Sequence, residues 1–371
     1  MVAPRVEIHA ANLHREAVII DGHSDILIPI ADGKVRINDS VRVPEAADWL
    51  PPLGMPGGPF SQTDRLWAHA LMYGPMGQYS LPQLLAGGVT VQACAIYVED
   101  SHLDAALPRG LTMAWHLHRE IEANKGLELV TSASDIRRVK REGLCGALLT
   151  FEGLEPLGEE IRFLDLYHKL GLRMASLTHT RRNLFADGVQ PETKTGGLSA
   201  LGRQAIQRMN ELGIVIDLVH ISEEGFWEIL ELTREPVVLS HSTPTMFPAI
   251  GPRAEGPLTD LARPGLVLSR DRVRLEAIAQ NGGVLGIISF YQRDLEDVVA
   301  DIELGLEAMG SDHVGLGSDY YGLGLAPKGL ENISLLPALT RHLVQRGHSD
   351  EVILKILGGN YLRVFERVWG S

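Results

Sequence analysis

The sequence predicts an α/β protein, a TIM-type (β/α)8 barrel with extra loops and C-terminal helices. Three observations lead to this prediction. Short apolar runs alternate with amphipathic helical patterns, which is typical of βα units and a parallel sheet. There are eight such runs, the number of strands that closes a TIM-type barrel. The chain has 371 residues, of which 45% are hydrophobic, so it is long enough for one large barrel.

The eight apolar runs are the predicted strands, and polar residues end or follow most of them. In chain order the predicted strands span residues 17–20, 89–98, 146–151, 174–177, 213–219, 236–240, 283–290 and 314–317.

Helical patterns lie between the strands, and two of them end at a glycine that can cap a helix, Gly171 and Gly213. Two stretches rich in proline and glycine, 31–80 and 251–269, interrupt the alternation and are predicted to be loops over the active site. Because no linker is visible, residues 1–371 are predicted to form a single domain. The predicted helices span residues 161–170, 201–212, 226–232, 272–279, 298–309, 335–344 and 352–357.

Composition excludes several classes of function. The formal net charge is −13 and no basic patch contains interleaved aromatic residues, so nucleic acid is not an expected partner. Cys94 and Cys145 lie in apolar runs and are predicted to be buried thiols without a disulfide. The polar stretch 1–15 lacks the apolar core of a signal peptide, and no apolar run is long enough to span a membrane. A cytoplasmic protein without membrane partners is therefore expected.

The residues at the strand ends predict a metal centre, because the C-terminal ends of barrel strands face one mouth. His23 and Asp25 follow the first strand two positions apart, and side-chain alternation would direct both to the same face. An imidazole and a carboxylate directed at one point favour a zinc site. His220 and His241 end two neighbouring strands and predict a second ion. Asp21, which precedes a glycine, is interpreted as a turn residue.

Two carboxylates complete the predicted centre. Glu152 ends the third strand and can offer one oxygen to each of two metals. Asp319 ends the eighth strand, which closes against the first. Two ions held in this way would share a bridging hydroxide, and Asp319 would take its proton and return it to the leaving amine. A single histidine at a strand end is more often structural, but ligand-type residues end five different strands here.

Three further residues are candidate substrate contacts. His179 ends the fourth strand and would stabilise the oxyanion of a tetrahedral intermediate. Arg253, on the loop after the sixth strand, would bind a substrate carboxylate through its guanidinium group. Tyr291 ends the seventh strand and would line the pocket. For each residue a structural role, as a core histidine, a solvated arginine or a packing tyrosine, stays open.

The motifs along nearly the whole chain resemble the renal (membrane) dipeptidase family of the amidohydrolase superfamily. Any one motif is weak, but their combination and order are specific. The matching segments are Ile20-Asp21-Gly22-His23-Ser24-Asp25, Thr150-Phe151-Glu152-Gly153, Leu177-Thr178-His179-Thr180, Asp217-Leu218-Val219-His220, Ser240-His241-Ser242, Gly315-Leu316-Gly317-Ser318-Asp319 and Gly358-Gly359-Asn360-Tyr361.

The resemblance implies a barrel with two zinc ions and a dipeptide as the substrate. One ion would be held by His23, Asp25 and Asp319, the other by His220 and His241, and Glu152 would bridge them. A bridging hydroxide would be the nucleophile, with Asp319 as proton shuttle, His179 on the tetrahedral intermediate and Arg253 on the C-terminal carboxylate. Many members of the family accept a D-residue at the C-terminal position, and the family favours a homodimer.

The sequence departs from the family around the pocket, and these departures leave the substrate open. The segment after Arg253 is long, so Arg270 is an alternative carboxylate-binding residue. Tyr320-Tyr321 replaces the usual phenylalanine-aspartate pair. A related hydrolase acting on another amide, a lactone or an ester is the main alternative function. It is disfavoured because lactonase-like sites begin with His-x-His and use a modified lysine. An inactive binding protein ranks last, because no ligand position is vacant.

Overall fold

A computed structural model describes residues 3–39, 78–189, 196–244, 269–289, 294–322 and 326–370. Within these residues, nine parallel strands form one sheet. The strands are β1 (Ile20–Asp21), β2 (Val91–Tyr97), β3 (Leu127–Leu129), β4 (Cys145–Glu152), β5 (Leu172–Ser176), β6 (Val215–Asp217), β7 (Val238–Ser242), β8 (Val284–Ile287) and β9 (Val314–Leu316).

Eight of the strands close into a barrel, which confirms the predicted fold. The sheet runs from β2 through β1 and β9 back to β4, and β2 pairs directly with β4 over seven residue pairs. The ninth strand, β3, was not predicted. It pairs with the first three residues of β4, ahead of the point where β5 joins at Leu149. This short strand therefore lengthens one edge at the base of the barrel without taking part in its closure.

Helices surround the barrel and follow most of its strands. Serine hydroxyls cap several of them, as Ser199 does by accepting from the backbone N–H of Gly202. The helices are α1 (Ala3–Glu16), α2 (Leu27–Ala31), α3 (Leu81–Ala86), α4 (Ala106–Ala123), α5 (Ala133–Glu142), α6 (Phe163–Lys169), α7 (Ala200–Leu212), α8 (Glu223–Leu232), α9 (Ser269–Asn281), α10 (Leu295–Met309), α11 (Pro337–Gln345), α12 (Asp350–Leu354) and α13 (Asn360–Trp369).

The predicted helices are present with small changes of boundary, and six helices were not predicted: α1, α2, α3, α4, α5 and α13. A short π-helical turn, Lys355–Gly359, joins α12 to α13. Cys94 and Cys145 are buried and free, as predicted. In the described part of the chain, no helix combines the length and the apolar character needed to cross a bilayer.

The C-terminal helix α13 closes the base of the barrel. Tyr361 and Phe365 belong to the same buried cluster as the inward-facing strand residues Ile20, Val91 and Val284. The Tyr361 side chain extends into the barrel, where its hydroxyl donates to the carbonyl oxygen of Ser240 at 3.1 Å. Glycines make room for this ring, since a Cβ at Gly22 would lie 2.3 Å from the Tyr361 hydroxyl oxygen. The barrel interior is therefore packed up to the level of the polar strand ends.

Candidate metal centre

The polar residues that end the strands meet at one end of the barrel. Glu152 is the last residue of β4, and His241 lies inside β7. His220 and Asp319 each follow their strands by three residues, because β6 ends at Asp217 and β9 at Leu316. The structure brings together all six predicted ligands: His23, Asp25, Glu152, His220, His241 and Asp319.

Glu152 lies between two sets of ligand atoms. Its Oε1 atom is 2.9 Å from Nε2 of His220 and 3.5 Å from Nε2 of His241. Its other oxygen, Oε2, is 3.8 Å from Nε2 of His23. That nitrogen lies 3.6 Å from Oδ2 of Asp25 and 3.8 Å from Oδ1 of Asp319. The two oxygens of one carboxylate thus face different histidines.

Three groups of residues have ligand atoms that all lie within 4.8 Å of one another. Glu152 is a member of two of them, so ions bound in those two groups would share its carboxylate. The groups are His23, Asp25 and Glu152; Glu152, His220 and His241; and His23, His241 and Asp319.

The side chains present fit divalent cations. The Nε2 atoms of His220 and His241 lie only 3.1 Å apart, so their lone pairs converge. Nε2 of His23 and Oδ1 of Asp25 are buried and have no hydrogen-bond partner among the described residues. Buried polar atoms are otherwise almost always bonded, so these two atoms are available to coordinate an ion. Imidazole nitrogens with carboxylate oxygens suit Zn²⁺ and other first-row divalent ions.

The electrostatics of the site favour a bound cation. Burial disfavours a charged His23 ring, but Glu152, Asp25 and Asp319 outweigh it and raise the pKa of His23 to about 10. Burial also raises the pKa of Asp319 well above its usual value. Burial, together with His23 and His220, lowers the pKa of His241 well below its usual range. A bound cation would favour the charged form of Asp319 and the neutral form of His23, the forms that can coordinate it.

His179 lies at the edge of this cluster. Its Nε2 atom is 3.8 Å from Oε1 of Glu152, and its ring centroid is 4.4 Å from that of His220. On its other side, the ring of Tyr97 lies 4.6 Å away, centroid to centroid. Burial lowers the pKa of His179 to about 4, although a quarter of its side chain stays exposed. It therefore borders the ligand cluster as a partly exposed imidazole.

Two ligand residues have an unusual backbone conformation. His220 has a φ of 61° and Asp319 a φ of 60°, in the left-handed region that residues other than glycine, asparagine and aspartate rarely adopt. Such conformations cost about 1–3 kcal/mol and persist where surrounding contacts hold them, most often at functional sites. The turns that follow β6 and β9 thus direct these two side chains into the site.

Some residues of the site differ from the sequence interpretation or were missed by it. The first strand ends at Asp21, so His23 and Asp25 meet through an irregular backbone rather than through strand alternation. The interpretation of Asp21 as a turn residue is wrong, because this carboxylate is buried and accepts from Ser318 N at 2.7 Å. Asp217, also missed, is similarly buried. The available signal was an aspartate directly after an apolar run for Asp21 and an aspartate inside one for Asp217.

Of the three predicted substrate contacts, only His179 lies among the described residues. Arg253 and Tyr291 fall outside them, as do the side chain of the alternative Arg270 and most of the predicted loop 31–80.

Comparison with known proteins gives a family match over almost the whole chain. The sequence model of the membrane dipeptidase family, peptidase family M19, matches residues 8–369. Dipeptidase aclJ of Aspergillus oryzae is 33% identical over 311 residues, which cover 78% of this chain and 69% of that protein. Dipeptidase 3 of Rattus norvegicus is 30% identical over 305 residues, covering 79% of this chain and 59% of that protein.

Dipeptidase tcpJ of Claviceps purpurea is 33% identical over 252 residues, which cover 65% of this chain and 55% of that protein. The chain thus spans only 55–69% of the length of these three curated relatives.

Solved structures share the fold. A metallopeptidase from Rhodobacter sphaeroides, liganded with a phosphinate mimic of the dipeptide L-Ala-D-Ala, has a TM-score of 0.73 at 23% identity. That match covers 95% of this chain and 100% of the other. An amidohydrolase from Pseudomonas aeruginosa has a TM-score of 0.72 at 22% identity and covers 98% of this chain and 99% of its own.

Proposed function

The chain belongs to the membrane dipeptidase family, peptidase family M19, and from this premise we propose that it hydrolyses the peptide bond of dipeptides in a metal-dependent reaction. One observation supports the proposal above the others. Glu152 lies in two separate groups of potential ligands, so a single carboxylate can join two metal positions. A pair of ions arranged in this way is typical of hydrolases that attack carbonyl and phosphoryl centres.

The proposed ions are two zinc ions. His23, Asp25 and Asp319 would hold one of them, His220 and His241 would hold the other, and Glu152 would contact both. When bound, such ions supply a water of lowered pKa and polarise the carbonyl oxygen of the substrate. The buried nitrogen of His23, which lacks a protein partner among the described residues, supports this assignment.

The remaining steps fall to the protein's own side chains. Asp319, whose Oδ1 lies 3.8 Å from Nε2 of His23, would accept the proton of the attacking water and pass it to the leaving amine. His179 borders Glu152 and is partly exposed, so an imidazole N–H there would stabilise the oxyanion. Arg253 is proposed to bind the C-terminal carboxylate of the substrate, with Arg270 as the alternative, and Tyr291 to line the pocket.

The test is amine release from a panel of L-Xaa-L-Xaa and L-Xaa-D-Xaa dipeptides, with metal-stripped and zinc-loaded protein assayed together. The D-residues belong in the panel because a structural relative binds a mimic of L-Ala-D-Ala. We expect zinc-dependent cleavage. No cleavage by protein that holds two ions would refute the dipeptidase proposal and favour another amide, a lactone or an ester.

A variant pair makes this test specific for the site. His179→Ala should lower kcat about 10²–10³-fold, the usual loss when one oxyanion donor is removed, and should keep both ions. The control is His102→Ala, because His102 is an exposed histidine in the turn after β2. Equal activity of the two variants would contradict the proposed role of His179. The homodimer and the cytoplasmic location stay predictions.

A further inference from the structure

Two buried aspartates lie next to the candidate metal centre, and each is hydrogen-bonded to a serine that directly precedes a ligand in sequence. Asp21 is paired with Ser318, which precedes Asp319. Asp217 is paired with Ser240, which precedes His241. Both aspartates are almost fully buried, with 1% and 3% of their surface exposed. We call these contacts the Asp21–Ser318 pair and the Asp217–Ser240 pair.

The Asp21–Ser318 pair joins β1 to the end of β9. Oδ1 of Asp21 accepts from the backbone N–H of Ser318 at 2.7 Å, and Oδ2 accepts from the Ser318 hydroxyl at 2.5 Å. Gln92 adds a third bond from Nε2 to Oδ2 at 2.9 Å. Each carboxylate oxygen therefore has a donor, and the carboxylate holds the chain that leads into Asp319.

The Asp217–Ser240 pair joins β6 to β7 in the same way. Oδ1 of Asp217 accepts from the backbone N–H of Val219 at 3.1 Å and from that of Ser240 at 3.0 Å. The Ser240 hydroxyl oxygen lies 2.9 Å from Nδ1 of His241, the ligand that follows it.

The two pairs share one more feature. In each, the carboxylate accepts the N–H of the residue directly before a ligand whose backbone is left-handed. Ser318 precedes Asp319, and Val219 precedes His220. A peptide that is anchored one residue before a strained conformation has little freedom to relax it. The repetition of this contact at two separate strand ends points to a role in placing the ligands.

We propose that Asp21 and Asp217 are positioning residues, each of which holds one left-handed ligand, Asp319 or His220, in place for metal binding. The proposal rests on the metal centre described under Proposed function. Hydrogen bonds behind the ligands of a metal site orient those ligands and contribute to metal affinity.

The two backbone contacts give the proposal a specific consequence. In Asp217→Ala, the N–H groups of Val219 and Ser240 lose the oxygen that both of them bind, and the peptide before His220 is released. In Asp217→Asn, the amide oxygen can keep both contacts.

The experiment measures Zn²⁺ binding by competition with a chromophoric chelator, and Zn²⁺ content after dialysis. Four proteins are compared: wild type, Asp217→Ala, Asp217→Asn and Ser240→Ala. We expect wild type to hold two ions and Asp217→Ala to lose about 10–100-fold in one of the two affinities. Asp217→Asn should lose less, because its amide oxygen can still accept from the N–H groups of Val219 and Ser240. Ser240→Ala keeps the backbone N–H that Asp217 binds and should also lose less.

Two controls separate positioning from folding. Thr90→Val removes another buried hydroxyl, which accepts from Ile19 N far from the ligands, and should keep both Zn²⁺ affinities. The thermal midpoints of the metal-stripped variants show whether folding is affected. Unchanged Zn²⁺ affinity in Asp217→Ala, or an equal loss in Asp217→Asn, would overturn the inference. Failure of the wild type to bind zinc would instead refute the proposed function.

Discussion

Removal of a single hydroxyl group, in Tyr361→Phe, tests whether the C-terminal helix supports the site from below. The Tyr361 ring is fully buried, and its hydroxyl donates to the carbonyl oxygen of Ser240 at 3.1 Å. That carbonyl belongs to the residue before His241. Glycines surround the same oxygen, since a Cβ at Gly317 would lie 1.8 Å from it and one at Gly286 2.0 Å from it. Little space is left there for a replacement partner.

The size of the effect follows from this geometry. A buried acceptor that loses its partner costs about 1–3 kcal/mol of unfolding free energy. The entropy of unfolding is about 2.1 cal/mol/K per residue, so a chain of 371 residues gives about 0.8 kcal/mol/K. Division of the two quantities predicts that Tyr361→Phe lowers Tm by about 1–4 °C.

The assay is thermal unfolding followed by circular dichroism, with metal-stripped protein so that zinc binding does not contribute. Tyr167→Phe is the matched control, because the Tyr167 ring is equally buried and its hydroxyl has no hydrogen-bond partner in the described part of the chain. Its Tm should stay unchanged or rise slightly. If the two variants lose stability equally, the hydrogen bond from Tyr361 does not hold Ser240.

Three further predictions concern other parts of the molecule. Glu152→Gln should lower metal content at both positions and lower turnover with it; full activity and two bound ions would contradict the bridging role. Gly317→Ala should cost about 1–3 kcal/mol or more in urea unfolding, because its Cβ would overlap a carbonyl oxygen, whereas Gly126→Ala should be tolerated since its nearest contact is 3.6 Å. Burial lowers the pKa of His14, so stability should fall as pH decreases below about 6.5, where the unfolded state takes up the proton. The free energy of unfolding, measured with urea on metal-stripped protein from pH 8 to 5.5, should depend less steeply on pH in His14→Gln than in wild type. Equal slopes would refute the assignment to His14.

The barrel and the cluster of candidate ligands were predictable from the sequence because both depend on local patterns. Strand runs of four to eight apolar residues are visible without tertiary information. In a closed parallel barrel the ends of all strands meet, so any ligand-type residue that follows a run is brought near the others. His220 and His241 are 21 residues apart in the chain, yet their Nε2 atoms lie 3.1 Å apart for this reason.

The supporting contacts could not be predicted in the same way. Asp21 follows an apolar run and Asp217 lies within one, but only the register between neighbouring strands identifies their partners, Ser318 and Ser240. The strand β3 has three residues and no distinct pattern. The position of Tyr361 depends on glycines from separate strands that leave room for its ring. Each of these features joins residues that are distant in sequence.

The charges at the barrel mouth connect metal binding to folding. Three candidate ligands, Asp25, Glu152 and Asp319, are buried carboxylates, and Asp21 and Asp217 add two more below them. Burial raises the pKa of Asp25, Asp319 and both supporting aspartates, which shows that each is costly to bury as an anion. Two divalent cations would bring four positive charges to these five groups. Ions that offset so much buried charge stabilise the folded state by mass action, so metal-stripped protein should unfold at a lower Tm than zinc-loaded protein.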